Sequence, residues 1–454
     1  MSNLACFLKK RGHWVSGSDL GTFGPSAELL KKHRIEYFKD HSPSYIKKFK
    51  PNIVVIGNAI KKDNPTLEYI LKNRLLYCSM PEMIKIEIIK DKRSIVVTGT
   101  SGKTTTASLI AWILYKAGLK PTALVGGIMK NTDSGFMNNN GKYAVIEGDE
   151  YGSSFNDNSP KFIHYKPYIA LINNVQPDHL DIYGSMEEII KAFRKLPRLV
   201  PKNGLLVLNA GNKNSMPLKN DARCKIETFG QGGSIVAKNI EIEPTGLKFT
   251  LYRKNKPLGE IKTWLLGKHN IENILAAAAA ALNVGVSFKK LAETIETFEG
   301  VKRRLEIIFN EKNIKIIDDF AHNPDKVLAS LSALRSHFPK HRIIAIFEPR
   351  TGSSRRKFFQ DAYTASFKPA DIVYVAEPYK KEALSKEEVF SSKQLVSDLN
   401  KNGTKAYAME NADKIVRYIK ANNLDSKTLP TIFCVMTSGE FDDIHQKLIK
   451  LITT

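Results

Sequence analysis

Eight short, almost continuously apolar runs constrain the fold of this chain more than any other feature. They are NIVVIGNA at 52–59, SIVVTGT at 94–100, AVIEGDE at 144–150, YIALINNV at 168–175, IKIIDDF at 314–320, RIIAIFEP at 342–349, DIVYVAE at 371–377 and TIFCVMT at 431–437. A strand that is apolar at successive positions buries both faces, and such strands belong to parallel sheets covered by helices on each side. Helical stretches separate the runs, so the pattern predicts an α/β protein built on doubly wound, parallel sheets. Most runs end in a polar or Gly-containing turn, which is where open α/β sheets hold their ligands.

A chain of 454 residues exceeds a single core, and at roughly 100–200 residues per domain three domains are expected. Breaks are predicted near residue 90, after the Lys-rich IKIEIIKDKR stretch, and near 300, at the Gly300 turn before VKRRLE. That division gives domains 1–90, 91–299 and 300–454. A β-rich interlude from about Ile235 to Trp264 reads as an antiparallel excursion inside the middle domain.

The net charge of +23 favours anionic partners, yet the lysines are scattered and no basic segment interleaved with aromatics stands out. A solvated Lys-rich surface is the plain reading, with attraction for phosphorylated small molecules beside it, and no nucleic-acid partner is expected. Cys6, Cys78, Cys224 and Cys434 lie far apart with no C-x-x-C pair, which excludes a zinc knuckle or disulfide framework and fits a reducing, cytoplasmic setting. The longest apolar run, Ile274 to Leu282, is about half the roughly 20 residues a membrane span needs. At the start, Leu4 to Leu8 precedes Lys9, Lys10 and Arg11, the reverse of a secretory signal.

The segment VVTGTSGKTTTASLIAWILYKAG at 96–118 reads as strand, Gly-bearing turn and helix. A turn at a helix N-terminus offers unpaired N–H groups and the positive end of the helix dipole to an anion, and Gly99 and Gly102 let the backbone come close. Lys103 can then neutralise terminal phosphates, and the Thr104 hydroxyl is placed to ligate Mg²⁺. The bland alternative is a Gly turn capping a helix. VIEGDEYGSSF at 145–155 and NNVQPDHLDIYG at 173–184 each follow a strand and bring carboxylates and an imidazole to strand ends. Phosphoryl transfer to a carboxylate needs a divalent metal against crowded negative charge, which makes Glu147, Glu150 and His179 candidate ligands. Singly, each would read as a solvated loop residue.

The loop G-T-S-G-K-T-T-T is shorter than the common nucleotide-binding loop, with Val97 where a further Gly would stand. This compressed form resembles that of the Mur ligases and their folylpolyglutamate synthetase relatives, and the resemblance runs over nearly the whole chain. It implies a Rossmann-like N-terminal domain that binds a UDP-sugar, a central P-loop ATPase domain and a Rossmann-like C-terminal domain. By the same resemblance ATP sits on Gly99, Thr100, Ser101, Gly102, Lys103, Thr104 and Thr105, and the metal on Thr104, Glu147 or Glu150, and His179. Ser101 departs from the His common at that place in the family. Phe193 stands where some members carry a carbamylated lysine, a pattern similar to the muramate-recognising branch.

GKHNIENILAAAAAA at 267–281 matches the family's adenine-contacting segment and points to His269, Asn270 and Asn273; a helix start with closely packed alanines reads equally well. GVKRRLE at 300–306 and IIDDFAHNPDKV at 316–327 imply Arg304, Asp319 and His322 as phosphate contacts, with Lys103, Thr104, Arg304 and His322 as the catalytic set. HWVSGSDLGTFGPS at 13–26 and VVIGNAI at 54–60 look like the UDP-sugar domain and implicate Ser16, Asp19 and Asn58. That domain ordinarily opens with a strand and a Gly-rich loop, which the start at Met1 is expected to lack.

Three segments, 147–167, 346–363 and 435–448, are more similar to the branch that joins murein tripeptide (L-Ala-γ-D-Glu-meso-diaminopimelate) to UDP-N-acetylmuramate than to the L-alanine-adding branch. AHNPD at 321–325 also resembles the tripeptide-forming ligases. The implied chemistry is ATP-dependent activation of the lactyl carboxylate as an acyl phosphate, then attack by the peptide α-amine. Arg350, Arg355 and Arg356 are candidates for the peptide carboxylates, since Arg forks match carboxylates bidentately. A monomer with small-molecule substrates is expected. A nucleic-acid-stimulated ATPase and an inactive binding protein are the competing classes.

Overall fold

The computed structural model describes residues 1–454 except 23, 178–182, 312, 386, 423, 425–428 and 454. Two compact units emerge: Met1–Ile240 with Lys248–Thr263 and Asn270–Glu299, and Gly300–Thr454 with Glu241–Leu247 and Trp264–His269. All eight apolar runs form strands.

The first unit opens with α1 (Ser2–Lys10), whose Leu4, Cys6, Phe7 and Leu8 are buried. Short parallel pairs follow, Gly17–Ser18 with Tyr37–Phe38 and Val54–Ile56 with Tyr77–Ser79. The large sheet has β1 (Arg93–Thr98) near its middle, with α2 (Lys103–Lys116) directly after it. Next along the chain come β2 (Thr122–Met129) and β3 (Tyr143–Glu147). A small antiparallel hairpin, β4 (Gly152–Ser154) and β5 (Asp157–Pro160), leads to β6 (Pro167–Ile172) and β7 (Leu205–Asn209).

The order in this ten-stranded sheet is Ser134–Met137, β2, β3, β1, β6, β7, Lys225–Phe229, Ile235–Glu243, Gly246–Arg253, Lys256–Thr263. β1 pairs in parallel with both β3 and β6. Ile95, Val96 and Val97 are fully buried, as a strand covered on both faces requires. The Ile235–Trp264 interlude forms three consecutive strands that finish the sheet at one edge. α3 (Lys268–Asn283) buries Ala276 through Ala281, whose small side chains let its neighbours approach closely.

The second unit carries a six-stranded sheet. β8 (Ile314–Asp319), β9 (Arg342–Phe347) and β10 (Thr431–Met436) form its centre in the order β8, β10, β9, all parallel, with Glu306–Glu311 antiparallel at one edge. α4 (Pro324–His337) follows β8; Asn323 caps it by accepting from the Lys326 N–H, and Pro324 occupies its first turn, where the missing N–H costs nothing. Among the described residues no helix is long and apolar enough to cross a membrane.

Candidate active site

The turn between β1 and α2 is held open by two glycines in left-handed backbone. Gly99 has φ +128° and Gly102 has φ +79°. A Cβ at Gly99 would lie 3.0 Å from the backbone of Asn174, and one at Gly102 would lie 2.3 Å from Asn273 Oδ1. The loop is tied to the end of β6: Thr100 N–H donates to Asn174 O at 3.2 Å, and Ser101 N–H to Asn174 Oδ1 at 2.9 Å. The first turn of α2 then presents N–H groups that have no acceptor inside the helix. Such a turn receives an anion.

Around this loop the strand ends of β1 and β3 gather the charged side chains. Lys103 Nζ donates to Gly99 O at 2.7 Å and to Glu150 Oε2 at 2.8 Å, with Asp149 Oδ1 at 3.9 Å. Burial alone would lower the Lys103 pKa, but Glu150 and Asp149 outweigh it and hold it above the usual lysine value. Thr104 Oγ1 donates to Glu147 Oε2 at 3.0 Å, and the other Glu147 oxygen accepts from the Gly126 N–H. Burial, followed by the Asp149 charge, raises the Glu147 pKa. The sequence candidates Gly99 to Thr105, Glu147 and Glu150 therefore meet at one place. His179 lies outside the described residues.

Asn270 and Asn273 are buried on α3 beside the same loop. Asn273 accepts from Thr106 Oγ1 at 3.2 Å and donates to Asn270 Oδ1 at 2.8 Å, while Asn173 Nδ2 donates to Thr106 Oγ1 at 2.9 Å. This amide–hydroxyl chain braces the floor under Gly102. Among the described residues, Asn173 Oδ1 is buried with no hydrogen-bond partner.

Sequence reasoning missed Asp149, Lys161, Asn173, Asn174 and Thr106. Asp149 stands in the quoted VIEGDEY, but its importance depends on Lys161, whose Nζ is 2.9 Å from Asp149 Oδ2. Burial would raise the Asp149 pKa; Lys161, then Lys103, pull it below the usual value. Asn173 and Asn174 open the quoted NNVQPDHLDIYG, and adjacent amides at a strand end were the available signal.

The N-terminal candidates lie on short strand ends of this unit. Asp19 follows Gly17–Ser18 and accepts from the Gly21 N–H at 3.1 Å; Ser16 precedes that strand, and Asn58 is exposed after Val54–Ile56.

In the second unit the tandem arginines diverge. Arg303 is tied down by Asp318 at 3.3 Å and by the carbonyls of Thr437 and Gly439 at 2.6 and 3.0 Å. Arg304 is exposed, its guanidinium 5.1 Å from the Phe320 ring. Asp319 is buried and accepts from Leu305 N–H, Ala321 N–H and Ser330 Oγ at 2.7, 2.9 and 2.9 Å. Burial raises its pKa despite those bonds and the nearby Arg304. His322 Nδ1 contacts Phe320 O at 2.9 Å. His269 is exposed just before Asn270. Arg350 pairs with Glu348 at 3.2 Å and stacks 3.8 Å over Tyr379; Arg355 donates to Tyr379 O at 3.0 Å, and Arg356 pairs with Glu388 at 2.7 Å.

The first unit's site fits a nucleotide with its magnesium. A glycine cradle that a Cβ would fill accommodates phosphate, and a hydroxyl with nearby carboxylates is the hard oxygen set that Mg²⁺ selects.

Comparison with known proteins shows the family. Residues 1–92 match the Mur ligase family catalytic domain, 97–281 the Mur ligase middle domain and 303–433 the Mur ligase glutamate ligase domain. The chain is 32% identical to the UDP-N-acetylmuramate–L-alanyl-γ-D-glutamyl-meso-2,6-diaminoheptandioate ligase of Haemophilus influenzae, over 99% of this chain and 96% of that one. It is 35% identical to the UDP-N-acetylmuramate–L-alanine ligase of Clostridium acetobutylicum, over 95% and 92%. The solved UDP-N-acetylmuramate-alanine ligase of Thermotoga maritima superposes with a TM-score of 0.83 at 26% identity, covering 99% of this chain and 96% of that one. With three domain matches in order along its length, this chain belongs to the Mur ligase family, ATP-dependent ligases that form a C–N bond and release ADP and phosphate.

Proposed function

We propose that this chain joins the murein tripeptide L-Ala-γ-D-Glu-meso-diaminopimelate to UDP-N-acetylmuramate, with ATP consumed to ADP and phosphate. The observation that carries the class of reaction is the meeting of Lys103, Thr104, Glu147 and Glu150 at the turn after β1. The choice of amine is supported by the likeness to the Haemophilus influenzae ligase over almost the whole chain.

In this reading a lactyl carboxylate oxygen attacks the γ-phosphorus of ATP, ADP leaves, and the tripeptide's free α-amine attacks the resulting acyl phosphate with loss of phosphate. Lys103 and the loop N–H groups offset charge on the terminal phosphates as it shifts toward the leaving oxygen. Thr104, Glu147, Glu150 and His179 would hold Mg²⁺, which supplies charge neutralisation when bound. Arg304, Asp319 and His322 serve the transferred phosphate. His269, Asn270 and Asn273 serve adenine, and Arg350, Arg355 and Arg356 serve the peptide carboxylates. Ser16, Asp19 and Asn58 belong to the UDP-sugar site. The division into 1–90, 91–299 and 300–454, a monomeric state and a cytoplasmic location complete the reading.

L-Alanine as the amine is the second reading, favoured by the 35% identity to the Clostridium acetobutylicum enzyme and the TM-score of 0.83 to the Thermotoga maritima structure. Phosphate release with UDP-N-acetylmuramate is to be measured with tripeptide and with L-alanine in parallel. Tripeptide-dependent release supports the first reading, and release with L-alanine alone replaces it. Undiminished turnover in Lys103→Ala would overturn the site itself.

A further inference from the structure

The hairpin β4–β5 delivers a second lysine to the site. Lys161 follows Pro160 at the hairpin's end; its side chain is 6% exposed. Its ammonium lies 4.2 Å from the centre of the Tyr151 ring and 2.9 Å from Asp149 Oδ2. A lysine buried to this degree is expensive to desolvate unless an anion compensates it, so the contact is built rather than incidental. Three carboxylates, Glu147, Asp149 and Glu150, thus share two ammonium groups. Lys103 takes Glu150 at 2.8 Å and stands 3.9 Å from Asp149, which is closer to Lys161.

That partition matters once phosphates arrive. Lys103 must turn part of its charge toward them, which releases Glu150. Asp149 would compete for Lys103, and for a cation, if nothing else held it. Resting on the ligase reading above, we propose that Lys161 is a positioning residue of the nucleotide site. It reserves Asp149 for itself, so that Glu150 alone exchanges Lys103 for the divalent cation.

The consequence is a pair of effects opposite in sign. Removing Lys161 leaves Asp149 with the Tyr151 hydroxyl and the more distant Lys103, which strengthens binding of a bare divalent cation. It also leaves one more negative charge beside the phosphates, which weakens nucleotide binding. A unit charge a few ångströms away, in the intermediate dielectric of a partly buried site, changes each constant by about tenfold.

The experiment uses the full chain. Mn²⁺ binding is followed by electron paramagnetic resonance without nucleotide, and binding of the Mg²⁺ complex of adenosine 5′-(β,γ-imido)triphosphate by calorimetry. Wild type is compared with Lys161→Met, Lys161→Arg and the double variant Lys161→Met/Asp149→Asn. Lys161→Met is expected to bind Mn²⁺ about tenfold tighter and the nucleotide about tenfold weaker. Lys161→Arg should stay near wild type, and the double variant should return toward it on both measures. Loss of both affinities together in Lys161→Met, no change in either, or no recovery in the double variant overturns the positioning role. If Lys161→Met fails to fold, Lys161→Gln replaces it under the same criteria. Wild type that binds no nucleotide would instead bring down the ligase reading, and this inference with it.

Discussion

Replacing Gly102 by alanine tests how tightly the phosphate loop is specified. Its backbone, at φ +79° and ψ −7°, costs a residue with a Cβ roughly 1–2 kcal/mol. The reduced freedom of the unfolded chain returns about 0.4–1 kcal/mol. The larger cost is steric, since the new methyl would sit 2.3 Å from Asn273 Oδ1 and 3.0 Å from Asn173 Nδ2. Neither amide is a loose end, because Asn273 is bonded to Thr106 and Asn270, and Asn173 to Thr106. Displacing Asn273 leaves buried polar atoms short of a bond, at about 1–3 kcal/mol. The net expectation is about 2–4 kcal/mol, or roughly 4–16 °C in the melting temperature of a unit this large. Thermal unfolding by circular dichroism measures it. The double variant Gly102→Ala/Asn273→Ala should cost less than the two single changes added, by about 1–2 kcal/mol, because the second substitution removes the atom the methyl meets. A single variant melting within about 2 °C of wild type, or strictly additive costs, would refute the reasoning.

Three further outcomes follow from the second unit and the thiols. Arg303→Met should cost about 2–3 kcal/mol of stability, since it leaves two carbonyl acceptors unpaired and Asp318 with His445 at 3.3 Å in place of the arginine, whereas Arg304→Gln should leave the melting temperature nearly unchanged and lower phosphate release; denaturant titration and turnover on both variants separate the two. His337 on α4 is buried, its Nε2 accepting from Gly267 N–H at 2.9 Å and its Nδ1 donating to Glu243 O, a neutral tautomer that burial favours by lowering its pKa from the usual 6.5. The unfolded chain therefore takes up a proton that the native one refuses, so the stability from this group is full above about pH 6.5 and is lost as pH falls toward the native pKa; His337→Phe should flatten that acid-side slope in urea titrations at successive pH values. Of the four free thiols, Cys6, Cys78 and Cys434 are buried, with Cys6 and Cys78 pushed up to about 11, so a thiol reagent at pH 8 should label native protein first at Cys224, as peptide mapping would read.

What could be read from the sequence and what could not divides along a physical line. The strands were legible because burial on both faces writes itself into consecutive residues, as in Ile95, Val96 and Val97. Thr122–Met129 and Leu205–Asn209 are strands of the same sheet outside the eight apolar runs; in the first, Gly126 and Gly127 interrupt the apolar sequence. The phosphate loop was legible for a related reason, since its chemistry lies within six consecutive residues at a strand–helix junction. Pairings between segments were not. Nothing local marks Arg303 as the bound member and Arg304 as the exposed member of their pair; that follows from where Asp318, Thr437 and Gly439 come to rest.

The same holds for Glu147 and Glu150, which read alike in VIEGDEY. In the fold Glu147 ends β3 and receives a backbone N–H and the Thr104 hydroxyl, while Glu150, past the strand end, receives the Lys103 ammonium. A carboxylate fixed by a backbone donor keeps its place when a ligand arrives. One that receives a side-chain ammonium, as Glu150 receives Lys103, can exchange it for another cation. The two glutamates therefore differ less in chemistry than in what their partners are free to do, and that freedom is decided by residues up to 47 positions away.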